Sequence, residues 1–590
     1  MKKILKMFFL CLIFITSFTI VACGDNNSTD NTDIGQNEIA DTTQTYESIS
    51  ESITALTNSL TNDQKNTTLP NEHSSDVYSI TTAGDYYFSG NLTESISVAK
   101  NSGDVHIYLD GATLLVEDNS AISSKSGANV TITLIGTNTL SNSLGSSNKD
   151  KHVIDSKENL VINGSGTLTI NSTKSAIACD KKFIGLGGTI NATAEKNIIT
   201  ADSIYINGTT INAVSCKKDI LHAESDYDEV ETAPEFNFGE GFVYIENGTI
   251  NTASVLGDGI QADSFVYIKS GIFNLTTTPT WNNNYVAREN KEKGMFNTST
   301  HQKVARDNVR AGSTYAVLKE SVKGIKVGEI DYYLATDQEN ELTVESENYT
   351  ILIEGGTFNI NTVDDAIHTN SGSALFYGGT FTINTSDDGI HADTNLEIAG
   401  DSIITIETCY EGIEAQTIDI SGGTTTIIAL DDGVNATNAN LTESQQKQVC
   451  QINISGGRLD VTVNPNGDRD GIDSNGGIKI TGGVLITRGP NNVNASPIDA
   501  ANAISITGGT VIAIGAAPGS SGQFSGPGGR PGGQGEGAFS STLKKTQSSS
   551  KGLSRGDHTV MVNGTTISYT NAYAYGGYTT VYASAVATID

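Results

Sequence analysis

The sequence predicts an all-β protein whose chain winds into a parallel β-helix, a solenoid of stacked coils. The first observation is a seven-residue cassette that recurs as DDAIHTN from Asp364, DDGIHAD from Asp387, YEGIEAQ from Tyr410, DDGVNAT from Asp431 and RDGIDSN from Arg469. The apolar centres of the first four, Ile367, Ile390, Ile413 and Val434, are 23, 23 and 21 residues apart. A unit that repeats at such a period is typical of solenoids.

Two further observations indicate that the coils are made of strands. Apolar residues alternate with others over short stretches such as 351–360 and 418–424, which is the period of a strand with one buried face. Glycine allows positive φ at a corner where a Cβ would clash. Paired glycines interrupt the alternations at Gly355–Gly356, Gly378–Gly379, Gly422–Gly423, Gly456–Gly457, Gly482–Gly483 and Gly508–Gly509.

The helix is predicted to span residues 76–515 in about a dozen coils of 21–23 residues each. We expect insertions near 226–241, 280–321 and 438–450, where the period is interrupted. The remaining apolar centres are predicted at Ile154, Ile177, Ile199, Leu221, Ile260, Ile325, Ile472 and Ile498.

Segments at both ends of the helix are predicted to be caps, because a terminal coil exposes an unpaired strand edge. The N-terminal cap is expected within Val77–Leu109 and the C-terminal cap within residues 559–590, where apolar alternation returns. Residues 516–558 are rich in Gly and Ser, and this composition predicts a flexible loop between helix and cap.

The first 22 residues have the pattern of a secretory signal peptide, with Lys2, Lys3 and Lys6 before an apolar stretch that is short for a membrane span. The order Ile-Val-Ala-Cys at 20–23 resembles a bacterial lipobox, which predicts that Cys23 carries a lipid anchor. An ordinary signal peptide or an uncleaved anchor is the alternative. Residues 23–75 are polar and predict a disordered tether.

The chain is strongly acidic, with 67 Asp and Glu against 35 Lys and Arg and a formal net charge of -32. This charge disfavours nucleic-acid binding, and it disfavours unaided binding of an acidic polysaccharide equally. A divalent cation would remove the second objection. Only 17% of residues are charged, which suits a secreted, turn-rich β protein. The thiols predicted to be buried, because they show neither a disulfide framework nor zinc spacing, are Cys179, Cys216, Cys409 and Cys450.

Acidic residues recur two positions before the apolar centre, at Asp219, Asp258, Asp365, Asp388, Glu411, Asp432 and Asp470. Turn chemistry alone explains any one of them, because Asp before Gly is a common turn pair. The whole series is harder to explain, since carboxylates about 4.8 Å apart repel one another. Ca²⁺ takes about six to eight oxygen ligands and can bridge neighbouring coils. We therefore predict at least one Ca²⁺ site, with ligands from Asp364, Asp365, Asp387, Asp388, Glu411, Asp431, Asp432 and Asp470.

Histidines and aromatic residues carry weaker signals. His222, His368 and His391 follow an apolar centre, and the last two could share a transition metal, although a solvent-facing position is the favoured alternative. Trp281, Tyr285, Tyr332 and Tyr333 lie in or near the long insertion, where they suit either sugar stacking or anchoring of the insertion to the helix.

Together the cassettes, the paired glycines, the lipobox and the Gly-rich late segment resemble a family of bacterial surface carbohydrate-binding proteins. The resemblance covers about Val77–Asp590 and is strongest over Ile351–Gly515. It implies a right-handed parallel β-helix related to pectate lyases, binding of plant-type polysaccharides including acidic, pectin-like chains, and Ca²⁺ held by the helix. Tyr410 replaces the first Asp of its cassette and departs from the pattern. The Ca²⁺ ligands implied by the resemblance are Asp364, Asp365, Asp387, Asp388, Glu411, Asp431 and Asp432.

Three functions remain open at this stage. The first is a lipid-tethered, non-catalytic module that binds polysaccharide with Ca²⁺, and for which no catalytic residue is predicted. The second is a polysaccharide lyase, which needs a base such as Arg458, Arg469 or Arg488, although no lyase motif surrounds these residues. The third is a structural adhesin or envelope protein in which Ca²⁺ only rigidifies the helix.

Overall fold

The computed structural model describes residues 77–224, 241–292, 294–328, 349–385, 387–467, 469–492, 495–516, 518 and 538–590. The predicted signal peptide (1–22), the lipidated Cys23, the tether (23–75) and most of the insertion at 226–241 lie outside these residues. Tyr332 and Tyr333 also lie outside them.

The chain forms a parallel β-helix in which each coil contributes to three stacks of strands, here called the first, second and third sheets. Several long strands pass from one sheet into the next, so the three are continuous. Ile199–Cys216, for example, contributes to all three. The fold class predicted from the period is confirmed.

The first sheet contains the short cassette strands. They are Val77–Ile80, Ser95–Val98, Ile122–Ser124, Ile154–Ser156, Leu221–Ala223, Ile260–Ala262, Ile325–Val327, Ile367–Thr369, Val434–Ala436, Ile472–Ser474 and the beginnings of Ile177–Gly185, Ile199–Cys216, Ile390–Ile398 and Ile413–Ile420.

The second sheet follows the cassette in each coil, and several of its strands continue into the third. Its strands are Gly84–Leu92, Val105–Glu117, Val130–Ile135, Leu160–Gly164, Phe242–Thr252, Phe265–Ile268, Tyr349–Ile353, Gly372–Phe376, Gln451–Ile454, Gly477–Arg488, Ile504–Gly515, Phe539–Ser541 and the later parts of Ile177–Gly185, Ile199–Cys216, Ile390–Ile398 and Ile413–Ile420.

The third sheet closes each coil before the next cassette. Its separate strands are Thr137–Ser143, Thr167–Ser172, Thr189–Ala194, Ile272–Thr276, Thr357–Asn361, Thr380–Asn384, Ile403–Cys409, Thr424–Ala429 and Arg458–Val463.

The predicted apolar centres stack directly on one another in the first sheet. Leu221 pairs with Ile260 although 39 residues separate them, so the insertion between them leaves the register unchanged. Ile260 likewise pairs with Ile325 and Ile325 with Ile367, across the longer insertion. The series also extends before Ile154, to Ile122 and Ile96, which the sequence pattern did not reveal.

Alternate side chains of all three sheets point into one continuous core. In the third sheet, the rings of Phe273, Phe358 and Phe381 stack on consecutive coils, with centroids 4.5 and 4.4 Å apart and planes within 6° of parallel. All three are fully buried. Offset or parallel aromatic contacts add to the burial of apolar area, so these rings fix the spacing of the coils that hold the long insertion.

The paired glycines lie at the corner between the second and third sheets, as predicted. The second glycine of each pair has positive φ, for example 68° at Gly457 and 73° at Gly483. Residues with a Cβ rarely adopt this conformation, so glycine is required by the backbone itself.

The insertion at 280–321 is a small ordered unit on the side of the helix. Trp281–Val286 and Thr314–Leu318 form an antiparallel hairpin, and Arg306–Asn308 form a 3-10 helix. Trp281 packs edge-on against buried Phe296 and stacks on His301 with centroids 4.0 Å apart. These contacts favour the anchoring role of Trp281 over sugar stacking.

The insertion at 438–450 contains one short helix, Glu443–Val449. Thr442 caps its N-terminus, and the Gln445 side chain accepts a hydrogen bond from Thr442 N–H at 2.9 Å. This reciprocal pair is a capping box, which defines where the helix begins.

The C-terminal cap begins earlier than predicted. Within the predicted flexible loop 516–558, Phe539–Ser541 adds to the second sheet and Lys544–Ser548 pairs antiparallel with Tyr578–Ala583. Tyr578–Ala583 also pairs antiparallel with the last coil, and a separate three-stranded sheet completes the cap. Its strands are Gly556–Val562, Thr565–Asn571 and Thr588–Ile589. The loop prediction was wrong for this part because the two early strands are polar and form by pairing with an edge.

The N-terminal segment predicted as a cap is itself the first coil. Val77–Ile80 pairs in parallel with Ser95–Val98, and Gly84–Leu92 pairs in parallel with the strand that begins at Val105. The thiols predicted to be buried are buried and free of disulfides: Cys179, Cys216, Cys409 and Cys450.

Candidate functional site

The acidic residues of the cassettes lie at one corner of the helix, where the third sheet ends and the first sheet of the next coil begins. We call this the acidic corner. Its carboxylates are largely buried. Asp258, for instance, is only 1% exposed and Asp364 2%. The members of the acidic corner are Asp219, Asp258, Asp364, Asp365, Asp387, Asp388, Glu411, Asp431, Asp432 and Asp470.

One oxygen of five of these acids accepts a hydrogen bond from the backbone of the next coil. Asp258 N–H donates to Asp219 at 2.7 Å, and Asp388 N–H donates to Asp365 at 3.0 Å. Asn197 accepts the same bond from Asp219 N–H at 3.0 Å, so the bond requires an oxygen and not a charge. The equivalent bond is donated by Lys323 N–H to Asp258, by Asp470 N–H to Asp432 and by Ser496 N–H to Asp470.

The glycine after the acid has a different role from the one that turn chemistry suggests. Gly389 and Gly433 do not have positive φ. Instead, a Cβ on Gly389 would lie 2.6 Å from the carbonyl oxygen of Gly412 on the next coil, and a Cβ on Gly433 would lie 2.6 Å from that of Gly471. Glycine is needed here because the backbones of neighbouring coils approach closely.

The second oxygen of three acids is bonded to a histidine of the same cassette. His222 Nδ1 lies 2.6 Å from Asp219, His368 Nδ1 2.8 Å from Asp365 and His391 Nδ1 3.1 Å from Asp388. The side chains of these histidines are between 12% and 19% exposed, so the favoured solvent-facing position was wrong. Their ring nitrogens face oxygens because the cassette strand places them directly beside the acid.

His368 and His391 stack as neighbours, with ring centroids 4.8 Å apart. The Nε2 atom of His391 faces Asp393 at 3.1 Å, so both of its ring nitrogens are bonded to carboxylates. Burial opposes protonation of His391, but the hydrogen bonds to Asp388 and Asp393 raise its pKa well above the ordinary value. An imidazolium with both nitrogens donating has no lone pair for a metal, so a transition-metal site on these two rings is not favoured.

Two lysines neutralise the acidic corner where Asp364 and Asp365 lie. Lys323 is 4% exposed, and its ammonium lies 2.9 Å from Asp364 and 3.9 Å from Asp365. Lys303 reaches in from the insertion and forms an ion pair with Asp387. Burial opposes the charge of Lys303, but Asp387 and neighbouring carboxylates raise its pKa above the ordinary value. This part of the corner therefore carries its own cations, of which Lys323 is buried and Lys303 is half-buried.

The charges that shift the pKa of Asp470 are those of other acids. Burial raises the pKa of Asp470 well above its ordinary value, and the charges of Asp473, Asp432 and Asp499 raise it further. Carboxylate oxygens of Asp470, Asp473 and Asp499 lie within 4.8 Å of one another. Ca²⁺ prefers such a set of carboxylate oxygens, so these residues fit the ion better than the acids beside Lys323 and Lys303.

The eight predicted Ca²⁺ ligands thus separate into distinct groups. Oxygens of Asp364, Asp365 and Asp387 lie within 4.8 Å of one another, and a second group joins Asp388 to His391 and Glu414. Asp470 belongs to the third group, with Asp473 and Asp499. The other three ligands lie outside these groups. Glu411 accepts a hydrogen bond from Asn435 Nδ2 at 3.0 Å, Asp431 lies 3.8 Å from Arg469 Nε, and Asp432 accepts a hydrogen bond from Asp470 N–H.

Sequence reasoning did not place Glu414, Asp473 or Asp499 in these groups, and it missed the two lysines that pair with the acids. Asp499 had a signal, because it follows the centre Ile498 as Asp473 follows Ile472. Lys323 also had one, since it occupies the cassette position of the acids. Lys303 had none, because the period does not determine where an insertion folds back onto the helix.

A family model described as "Carbohydrate-binding domain-containing protein" matches residues 74–389 and 343–462 of this chain. These matches cover the helix from its first coil to the coil of Arg458–Val463. No curated protein matches the chain, and no solved structure matches it. Within the described part of the chain, no helix is both long and apolar enough to cross a membrane.

His222 provides a pH test of the acidic corner. Burial lowers its pKa, but the hydrogen bond and charge of Asp219 outweigh burial and raise the pKa to about 9 from 6.5. The pair therefore stabilises the fold fully below pH 6.5, and this contribution is lost as the pH rises through about 9. NMR titration of the His222 ring should give a pKa near 9, and Asp219→Asn should lower it, because the hydrogen bond and charge of Asp219 are the largest effects that raise it.

The Asn variant retains an oxygen for Asp258 N–H, as Asn197 does for Asp219 N–H, so the backbone bond should survive. His301 is half-buried, and its ring nitrogen faces a neutral amide and not a carboxylate, so its NMR signals should not change in Asp219→Asn and are the internal control. A wild-type His222 pKa at or below 6.5 would contradict the assigned bond.

Proposed function

The chain belongs to the carbohydrate-binding domain family, and on this premise we propose that it is a non-catalytic receptor for polysaccharide. It acts outside the cell, held at the membrane by a lipid on Cys23, and Ca²⁺ assists its binding. The observation that carries the proposal is the family match, which spans most of the helix and therefore most of the acidic corner.

The repeated coils suit a polymer better than a small sugar. Equivalent side chains recur about every 4.8 Å along the helix, so a polysaccharide can make the same weak contact many times. Linked weak contacts raise the overall affinity without any single strong site.

The carboxylates of Asp470, Asp473 and Asp499 support the proposal that Ca²⁺ assists binding. When bound there, the ion supplies positive charge that offsets the buried carboxylates and offers further coordination positions to oxygen ligands. Such positions would allow an acidic sugar to approach a chain whose net charge is -32. Asp432 also contributes its charge to this group.

The lyase alternative finds no favourable observation among its three candidate bases. Arg488 is fully buried and paired with Asp460 at 2.6 Å, so it does not reach a polymer. Arg458 donates to Asp460 at 2.7 Å and to Ser568 O at 2.9 Å. Arg469 Nη1 donates to the carbonyl of Asn466 at 2.9 Å. These contacts are structural ones that hold the cap and a loop.

The receptor proposal predicts retention of the purified chain on an insoluble polysaccharide. The chain is passed over phosphoric-acid-swollen cellulose, which is uncharged, and over crosslinked polygalacturonate, with Ca²⁺ or with EGTA. We expect retention on at least one matrix and weaker retention on polygalacturonate in EGTA. Retention on neither matrix would contradict the receptor, and an ultraviolet-absorbing unsaturated product would identify a lyase instead.

The Ca²⁺ component is tested separately with Asp470→Asn. Ca²⁺ at about 100 times its Kd should raise the wild-type free energy of unfolding by about 2.7 kcal/mol in denaturant titrations. The variant should lose most of this gain, yet in EGTA it should be at least as stable as wild type because one of the repelling charges is gone. Exposed Asp401→Asn is the matched control. Equal Ca²⁺ gains in all three proteins would rule out this site.

Lipid anchoring is tested with Cys23→Ser. The wild-type chain should sediment with membranes and partition into detergent, whereas the variant should be released or retained only through an uncleaved signal segment. Cys11→Ser is the control, because Cys11 lies within the predicted signal peptide. The lipid anchor would be contradicted if neither the wild-type chain nor the Cys11→Ser control partitioned into the detergent phase.

A further inference from the structure

The outer side of the third sheet carries two parallel files of uncharged residues. The first file comprises Thr167, Thr189, Thr210, Thr249, Ile272, Thr357, Thr380, Ile403 and Thr424 in successive coils. The second file comprises Thr169, Asn191, Asn212, Asn251, Asn274, Asn359, Thr382, Thr405 and Thr426.

Neither file contains a charged residue, although the chain carries a net charge of -32. The side chains between the two files, such as Leu168 and Phe273, point inward and are fully buried. The file residues themselves are exposed or half-exposed, with Ile272 at 50% and Ile403 at 47%. At about 4.8 Å per coil, the files run roughly 40 Å along the helix. They form a long, narrow, neutral surface.

Four asparagines of the second file, Asn191, Asn212, Asn251 and Asn274, are held in a fixed orientation. Asn212 Nδ2 donates to Asn191 Oδ1 at 2.7 Å, Asn251 to Asn212 at 2.8 Å and Asn274 to Asn251 at 2.8 Å. Each inner amide uses one N–H and one oxygen lone pair in this ladder, and an amide has two of each. A second donor and a second acceptor therefore remain on Asn212 and on Asn251, at positions that are already ordered.

The surface ends where charges return. The next coil places Arg458 after Thr424 and Asp460 after Thr426. There the C-terminal cap rises over the sheet and forms a cleft of about 690 Å³ that includes Asp557, His558 and Asp590. The neutral surface and the charged cleft are therefore adjacent but chemically distinct.

We propose that the two files bind an uncharged, extended polysaccharide chain that lies along the helix axis. This inference rests on the proposed receptor function and names the face and the ligand class. Ordered amides and hydroxyls bind sugar hydroxyls on each coil, and the exposed isoleucines contact the apolar C–H faces of the sugar rings. An acidic chain is disfavoured here, because the files offer no cation and the surrounding net charge repels it.

The match of periods strengthens this choice of ligand. One coil advances about 4.8 Å, which is similar to the length of one sugar residue in an extended chain. A polymer on the files can therefore repeat its contacts coil after coil, and the amide ladder lowers the entropy cost of each contact because its side chains are already fixed. A small sugar gains only one such contact.

Charge substitutions at the centre of the surface test the proposal. Asn359→Lys with Thr382→Lys places two positive charges on neighbouring coils of the second file. Asn359→Asp with Thr382→Asp places two negative charges at the same positions. The full chain is assayed for binding to phosphoric-acid-swollen cellulose and to polygalacturonate. Both double variants should weaken cellulose binding by at least about tenfold, because repeated contacts are interrupted whatever the sign of the charge.

Ser373→Lys with Asn395→Lys is the matched control, since these residues pair on the outer side of the second sheet. It should leave cellulose binding within about twofold of wild type, since it interrupts no file contact. Circular dichroism melts of all variants establish that each is folded. If the charged pairs do not fold, Asn359→Gln with Thr382→Ser is used in their place. These milder changes should leave partial cellulose binding.

Four outcomes overturn the proposal. If the Lys pair bound polygalacturonate more strongly than wild type and the Asp pair bound it more weakly, the face would be the binding site of an acidic chain. Unchanged cellulose binding in both pairs would place the binding face elsewhere. Wild-type binding to polygalacturonate alone would refute the neutral ligand but leave the receptor function standing, whereas binding to neither polymer would refute both.

Discussion

Each coil of this protein is held to the next by parallel backbone hydrogen bonds in a fixed register, and the side-chain arrangement follows from that register. A shift of one residue would turn every inward side chain outward. The stacked Phe273, Phe358 and Phe381 rings, the apolar centres of the first sheet and the asparagine ladder all depend on equivalent residues lying one above another. The insertions at 280–321 and 438–450 leave the register intact because they lie at the corners, between successive strands of the sheets.

Register has an electrostatic consequence at the acidic corner, because it also stacks like charges. The helix resolves this in two ways. Around Asp364 and Asp365, Lys323 and Lys303 supply positive charge, and removal of one partner from a buried pair such as Lys323 with Asp364 typically costs about 3–5 kcal/mol. Around Asp470 the charged neighbours that act on its pKa are acids, which is where an external cation offers the largest gain. The proposed Ca²⁺ site and the lysine-neutralised groups are thus alternative solutions to one constraint.

The repeating part of this structure was accessible from the sequence because each coil encodes itself. The 21–23-residue period located the centres from Ile154 to Ile498, and the paired glycines located a corner. The sequence also predicted the positions of the acids, but it did not predict their main contact. A hydrogen bond from the backbone of the next coil requires only an Asp or Asn at that position, so the sequence carries no further sign of it. The position of Lys303 and the early start of the cap were inaccessible, because both depend on how non-repeating segments pack on the finished helix.

The register across the long insertion tests the account most directly, because the acidic groups and the two polar files both require it. Cysteines at Asn274 and Asn359, which pair in the third sheet, should be bridged by dibromobimane, which becomes fluorescent when it joins two nearby thiols. All variants would carry Cys11→Ser and Cys23→Ser, and the four remaining native thiols are buried. The account predicts strong fluorescence for Asn274→Cys with Asn359→Cys and almost none for Asn274→Cys with Phe358→Cys, because Phe358 points into the core. Bridging of the Phe358 pair in preference to the Asn359 pair would contradict the register and, with it, the alignment of every group described above.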